Sequence, residues 1–333
     1  MILEPEVLDM AVPRIPLAFF GISLGLAGLA GTWLTAAHEG HAPIDVGRAL
    51  VALAAAVWCV TLLLYLRYAA SVRGAFVADV LDSVGSPFGS LAVITPMLLA
   101  AQGIAPYAPD AGRVVVDVFI VLTLLVGGWY TGQWIYGPLE LDQLHPGYFL
   151  PATGGGLVAA FCAVQVGQER VAEVMFGLGI ISWVVLGSMI LARLFFRPPM
   201  PPGLTPTLAI EIVPASMASV ACFALNHDRI DRLSAVLADY CLLMILAQVR
   251  LLPLFLRLKF TPGFWAFTFS WTTVATTGLH WTSTGHPPGE LVLSYLLLAA
   301  ATALVGAIAV RTLVAMARHQ FLPPTAAPPR PSA

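Results

Sequence analysis

"PATGGGLVAAFCAVQVGQERVAEVMFGLGIISWVVLGSMILARLF", residues 151–195, contains two apolar runs separated by the polar turn Gln165-Val-Gly-Gln-Glu-Arg170. The first run opens with a proline and three consecutive glycines and stays small-sided. The second is dominated by Val, Ile, Leu and Met. A bilayer core takes about 20 apolar residues per helix, which the second run reaches and the first approaches when it is counted from Phe149 to Gly167. The unit therefore reads as a membrane hairpin whose first helix is small and kinkable and whose second is bulky.

The same unit recurs along the chain. Runs broken by Pro, Gly and charge fall near 16–36, 48–69, 87–104, 113–136, 149–167, 171–195, 205–225, 232–256, 263–282 and 289–316, giving ten expected spans. The odd ones carry the breakers: Gly21, Gly25 and Gly28; Gly89 and Pro96; Pro151 and Gly154 to Gly156; Pro206 and Pro214; Pro262 and Gly278. The even ones are greasy, as in "VWCVTLLLYL" and "LVLSYLLLAAATALVGAIAV". Proline inside a helix frees a carbonyl, and in lipid that group needs protein or cavity water as a partner. Five kinked helices inside and five greasy ones outside would meet that need. Close helix packing through small residues is the alternative for any single span.

Composition agrees with the class. Of 333 residues, 59% are hydrophobic and 10% charged, where a soluble chain carries about 25% charged residues. The net charge of −2 and the absence of any Lys/Arg cluster exclude a nucleic-acid partner. Cys59, Cys162, Cys222 and Cys241 lie singly in apolar runs and read as small hydrophobes, with no metal or disulfide spacing. "MILEPEVLDM" lacks a basic n-region, so the first run is expected to be a retained span. The proline-rich stretch 319–333 is expected to be a disordered tail after a single membrane domain at 1–318. With the N-terminus inside, eleven Lys/Arg fall on the cytoplasmic side and five outside, which favours both termini in the cytoplasm of a multi-pass plasma (inner) membrane protein.

The ninth span, "FWAFTFSWTTVATTG" at 264–278, has two faces at helical spacing. Trp265, Phe269, Thr272, Thr273 and Thr276 share one; Phe267, Trp271, Val274 and Gly278 share the other. Threonine can satisfy its hydroxyl on its own helix, so the stripe reads either as packing or as the lining of a pathway obstructed by Phe269. An aromatic side chain in a narrow apolar constriction can gate by blocking or dewetting.

"IPLAFFGISLGLAGLAGTW" (15–33), "HPGYFLPATGGG" (145–156), "ALNHDRIDRLSAVLADY" (224–240) and "GFWAFTFSW" (263–271) together resemble signature segments of one family. It is the tellurite-resistance and dicarboxylate-transporter family, which includes the slow anion channels of plant guard cells. The resemblance runs in order over all ten spans. It implies a homotrimer embedded in membrane lipid, each protomer an all-α domain of five hairpins with quasi-fivefold arrangement around its own pore. It also implies that Phe269, the second phenylalanine of Trp-Ala-Phe-x-Phe, occludes that pore, and that small inorganic or organic anions are the permeants.

The expected lining is Gly21, Gly25, Gly28, Ser90, Pro96, Pro151, Gly154, Gly155, Glu211, Pro214, Ala218, Thr272, Thr273 and Thr276. No Lys or Arg sits in the middle of a span, and conduction needs weak binding. This favours a channel or low-affinity facilitator, without cofactor, metal or ATP-binding motif. Glu211 stands apart, because a carboxylate at membrane depth is costly. Three readings stand: it is held protonated by burial, it accepts protons that couple transport, or it serves a kinked backbone or a neighbouring helix. A proton-coupled carrier of dicarboxylates or of oxyanions such as sulfite or tellurite is therefore the rival function. An intramembrane enzyme would need clustered nucleophiles, which the spans lack. Asp239 reads as a helix or protomer contact, and Asp117 and Glu140 as interfacial. His38, Glu39 and His41 offer weak metal-binding chemistry but read as solvated loop residues. His145 reads as a turn or capping residue.

Overall fold

The computed structural model describes residues 13–321, so the expectations for "MILEPEVLDM" and for most of the proline-rich tail lie outside the described residues. Within that range every regular element is helical. The helices are α1 (Phe20–His38), α2 (Ile44–Ser71), α3 (Ala75–Leu81), α4 (Leu91–Leu99), α5 (Pro109–Tyr136) and α6 (Gly155–Gln165). They continue with α7 (Glu169–Phe196), α8 (Val213–Leu225), α9 (Arg232–Phe255), α10 (Ala266–Gly285) and α11 (Glu290–Ala317).

Among the described residues nine helical segments are long and apolar enough to cross a membrane. A tenth, α10, is 20 residues long but too rich in threonine to reach the same apolarity. The even-numbered spans of the sequence are single long helices: α2, α5, α7, α9 and α11. The odd ones are composite, each led in by a tight turn at a proline. Short 3-10 turns at Leu17–Phe19, Ser86–Ser90 and Pro262–Trp265 precede α1, α4 and α10. The 3-10 turn Pro146–Tyr148 and the wider π turn Leu150–Gly154 precede α6. The 3-10 run Thr205–Ile212 precedes α8. Proline cannot donate to the turn before it, so the chain winds in at other pitches until the α ladder can start. Pro96 acts similarly inside α4, which relaxes into the π turn Ala100–Ile104.

Burial separates the two classes. In the composite spans led by α1, α4, α6 and α8, 61–83% of the most apolar stretch is buried, against 17–28% in α2, α5, α7, α9 and α11. Twelve of the 20 residues of α10 are buried, placing it with the first class. The inner helices close a ring by direct packing: α1 on α4, α4 on α6, α6 on α8, α8 on α10 and α10 on α1. The long helices cover it and present Leu63, Leu125, Val174, Leu246 and Leu313 outward. A helix walled by protein needs small residues, and the contacts show why. A Cβ on Gly156 would sit 2.9 Å from the Gly179 backbone nitrogen, so α6 and α7 meet backbone to backbone.

One element escaped the hydropathy reading. α3 is too short to span and lies between α2 and the third span, with Phe76, Val77 and Leu81 exposed and Asp79 buried against Arg14 at 2.9 Å.

Candidate functional site

The leading turns of all five inner segments converge on one cavity of about 310 Å³ at the proline end of the helix ring. Gly21 and Leu24 line it from α1, Phe88 and Leu91 from the third span, and Leu150 from the fifth. Thr207, Ile210 and Val213 line it from the seventh, and Trp265, Phe269 and Ser270 from the ninth. Phe269 is the lining residue set furthest along α10 apart from its neighbour Ser270, and it is only 8% exposed. Among the described residues no Lys, Arg, Asp or Glu lines the cavity. Its field comes from the backbone: the first N–H groups of a helix have no intrahelical partner, and the peptide dipoles add to a positive potential there. Five such ends around one apolar vestibule make a weakly positive site without a fixed charge.

Phe269 is held from one side. Its phenyl group lies against Gly28, where a Cβ would come within 2.9 Å of Cδ2. A Cβ on Gly25 would lie 2.7 Å from Thr268 Cβ and 3.1 Å from the Trp265 indole. Gly25 and Gly28 therefore sit in the α1–α10 contact, Gly28 directly against the phenyl group of Phe269, and neither lines this cavity. Gly21, one turn earlier, would meet nothing closer than Leu91 at 3.8 Å and faces the cavity.

The threonines are clasped sideways. Thr272 donates to the Phe269 carbonyl at 3.0 Å, and Thr32 of α1 donates to the Thr272 carbonyl at 3.1 Å and lies 3.0 Å from the Thr276 hydroxyl. On the other flank Thr273 shares a 2.7 Å hydrogen bond with Ser216 of α8, whose carbonyl accepts from Thr277 at 3.0 Å. Two hydroxyl clasps thus lock α10 to α1 and α8, just beyond Phe269. Their signal in the sequence is Thr32 and Ser216 on the partner helices, which helical spacing within α10 alone could not reveal.

The remaining expected residues divide. Gly155 is a helix contact, its Cβ position 2.6 Å from Thr123 of α5, and the Pro151 carbonyl packs on Gly127 of the same helix. Pro96 lines a separate groove with residues of α2 and α5, outside the helix ring. Ser90 spends its hydroxyl on the Pro87 carbonyl at 2.7 Å. Pro214 and Ala218 are buried in α8. Gly154 differs from its neighbours: a Cβ there would meet only the Phe149 carbonyl oxygen, at 3.6 Å, although the residue is buried. The buried hydroxyls of Thr95, Thr153 and Ser219, one on each of three inner segments, have no protein partner.

Glu211 is buried, and its Oε1 is among the atoms without a partner. It sits in the 3-10 run Thr205–Ile212, where three residues make a turn. Thr207, Ile210 and Val213 therefore share the cavity face, and Glu211 points a third of a turn away. Its electrostatic neighbour is Tyr240 of α9, and α9 also reaches this run through Gln248, which donates to the Leu208 carbonyl at 2.6 Å.

His145 supports the cavity from behind. Its Nδ1 accepts from the Gly147 N–H at 3.1 Å and its Nε2 lies 2.9 Å from the Val84 carbonyl, so the proton sits on Nε2. The imidazole stacks on Phe88, a cavity residue, at 5.8 Å between centroids. Burial pushes its pKa down to about 4, keeping it neutral. At the far end of the helix ring Glu39 lies 3.7 Å from His41, and Asp228 3.2 Å from His280. Burial holds Glu39 above the usual carboxylate range, whereas the His280 hydrogen bond holds Asp228 below it. Among the described residues no three potential metal ligands come together. Asp239 is exposed on α9, Asp117 accepts from Gln168 at 3.0 Å, and Glu140 caps the turn Leu141–Gln143.

Residues 14–313 match the family described as SLAC1, voltage-dependent anion channel. The chain is 26% identical over 312 residues to a tellurite resistance protein TehA homolog of Haemophilus influenzae, covering 92% of each chain. It is 23% identical to the guard cell S-type anion channel SLAC1 and 24% identical to the S-type anion channel SLAH3, both of Arabidopsis thaliana. In each case 93% of this chain matches, and it spans about half the length of the plant relatives (56% and 49%).

Proposed function

Because the chain belongs to the SLAC1 family of voltage-dependent anion channels, and so to a family of anion channels and transporters, we propose that small anions cross the membrane along the axis of its helix ring and that Phe269 closes the path. The observation that carries this reading is the shared cavity. All five inner segments aim their leading turns at it, and its furthest aromatic wall is Phe269. Anions are drawn in by converging helix ends, held weakly for want of a fixed cation, and stopped at an apolar constriction. The open Cβ position at Gly154 and the unpartnered hydroxyls of Thr95, Thr153 and Ser219 support these four as lining beyond it. Glu211 has no place in that path. Its register supports a role on the α9 side and gives no support to proton coupling.

By the charge bias of the loops, the cavity opens to the cytoplasm and the protein sits in the plasma (inner) membrane with both termini inside. Assembly as a trimer with one pore per protomer follows the family resemblance, and the exposed Asp239 on α9 suits a contact between protomers.

The test is a voltage-clamp measurement on Phe269→Ala under a chloride gradient at several pH differences. A current that reverses at the chloride equilibrium potential irrespective of pH supports passive permeation. A reversal potential that follows the proton gradient identifies a coupled carrier instead.

A further inference from the structure

A groove of about 500 Å³ runs between α9, α10 and α11, on the side of α10 away from the cavity. Leu252 of α9, Phe267 and Trp271 of α10, and Ala300 and Ala307 of α11 line it, and Arg311 closes its proline end. From Leu297 to Arg311 the groove follows α11 over fifteen residues, about 21 Å at the helical rise. That exceeds the ~15 Å hydrocarbon depth of one leaflet. The small side chains of Ala300 and Ala307 give the groove its depth, and both are exposed.

Charge at the closed end is one-sided. The Arg311 guanidinium lies over the rings of Phe260, at 4.9 Å, and Phe264, at 5.8 Å. Arg257 and Lys259 follow α9 in the adjoining loop, and all three cations are exposed. No Asp or Glu occurs between Tyr240 and Gly289, and none follows Glu290. The nearest acids in sequence, Asp239 and Glu290, sit toward the opposite ends of α9 and α11. Among the described residues none of the three cations is in an ion pair.

We propose that this groove is a binding site for an anionic phospholipid of the leaflet at the proline end, with an acyl chain along Trp271 and Ala307 and the phosphate at Arg311 and Lys259. A free anion would leave the apolar length unfilled. A zwitterionic lipid would bring its own cation to a cluster where the described residues offer no carboxylate to receive it. The chain would press on Phe267 and Trp271, which stand two residues either side of Phe269 on the back of the same helix. An effect of the lipid on conduction rests on the gate proposed above; binding itself does not.

The experiment is native mass spectrometry of the delipidated protein in detergent, titrated separately with phosphatidylglycerol and phosphatidylcholine. Phosphatidylglycerol should bind more tightly. Arg311→Gln and Lys259→Gln should each weaken it about fivefold, the value of one cation near a lipid surface, and leave phosphatidylcholine unchanged. Ala307→Phe, which fills the groove without touching charge, should weaken both lipids. Equal binding of the two lipids by the wild type, or unchanged binding in Arg311→Gln, overturns the proposal. So does competition by millimolar inorganic phosphate, which marks a site for free anions. If Ala307→Phe dissociates the oligomer while lipid binding persists, the groove holds a second copy of the chain, which also overturns it. A lipid that binds as expected but leaves wild-type currents unaltered separates this site from the gate.

Discussion

Gly21 and Gly28 stand seven residues apart on α1, in one stripe of small residues, yet alanine should have opposite consequences at the two positions. At Gly28 the new Cβ would lie 2.9 Å from Phe269 Cδ2 and would also press on the Thr272 side chain. Thr272 is tied on both sides, its hydroxyl to the Phe269 carbonyl and its own carbonyl to Thr32, so the new methyl would have to push Phe269 towards the cavity. Forcing an extra methyl into such a contact costs about 1–3 kcal/mol. At Gly21 the nearest atoms are 3.8 and 3.9 Å away, an ordinary contact. Gly21 lies in the first turn of α1, where removing a glycine returns at most about 0.5–1 kcal/mol, the helix-interior value. Thermal unfolding of the purified protein in detergent should rank Gly21→Ala at or above wild type and Gly28→Ala clearly below it. Equal melting of the two variants would refute the account of how α1 seats Phe269. A Gly21→Ala protein that melts well below wild type would refute the cavity boundary.

Further outcomes follow from the same geometry. His145 must be neutral to accept from Gly147, and its pKa is held near 4 against about 6.5 when unfolded. Its stabilising contribution is therefore complete above pH 6.5, declines as pH falls, and is fully lost near pH 4, a change of up to about 3 kcal/mol. His145→Asn should flatten that part of a pH–stability profile. Gly154→Ala should fold normally, since its Cβ meets only one atom at 3.6 Å, and should lower the current carried by Phe269→Ala. Glu211→Gln should leave reversal potentials and their pH independence unchanged in the Phe269→Ala background, and a shifted pH response would return Glu211 to the path.

The alternation of small, broken spans with greasy ones was legible because it reflects two solvents, protein for the inner helices and lipid for the outer. Which small residues face space was not legible. Gly21, Gly25 and Gly28 form one stripe, and only the residues opposite, Trp265, Thr268, Phe269 and Thr272, decide which of them opens on the cavity. The triple glycine behaves the same way: Gly155 meets Thr123, Gly156 meets Gly179, and Gly154 is left open. For Glu211 the pitch decides the face. At 3.6 residues per turn it shares a face with Ala215 and Ala218, but the chain runs as 3-10 helix from Thr205 to Ile212, and three residues per turn carry it off the face of Thr207 and Ile210. Proline at 206 and 214 signalled an irregular stretch without stating its pitch. The threonines of α10 could not be told apart as packing or lining because their partners, Thr32 and Ser216, lie more than 50 residues away in sequence.

The central claim is that the path through the helix ring is closed by the volume of one side chain. Single-channel conductance of wild type, Phe269→Leu and Phe269→Ala in a planar bilayer with symmetrical chloride tests it most directly. Conductance should rise in that order as the obstruction shrinks, with Phe269→Ala exceeding wild type by on the order of tenfold or more. Equal conductance in all three, from protein that assembles normally, would contradict it.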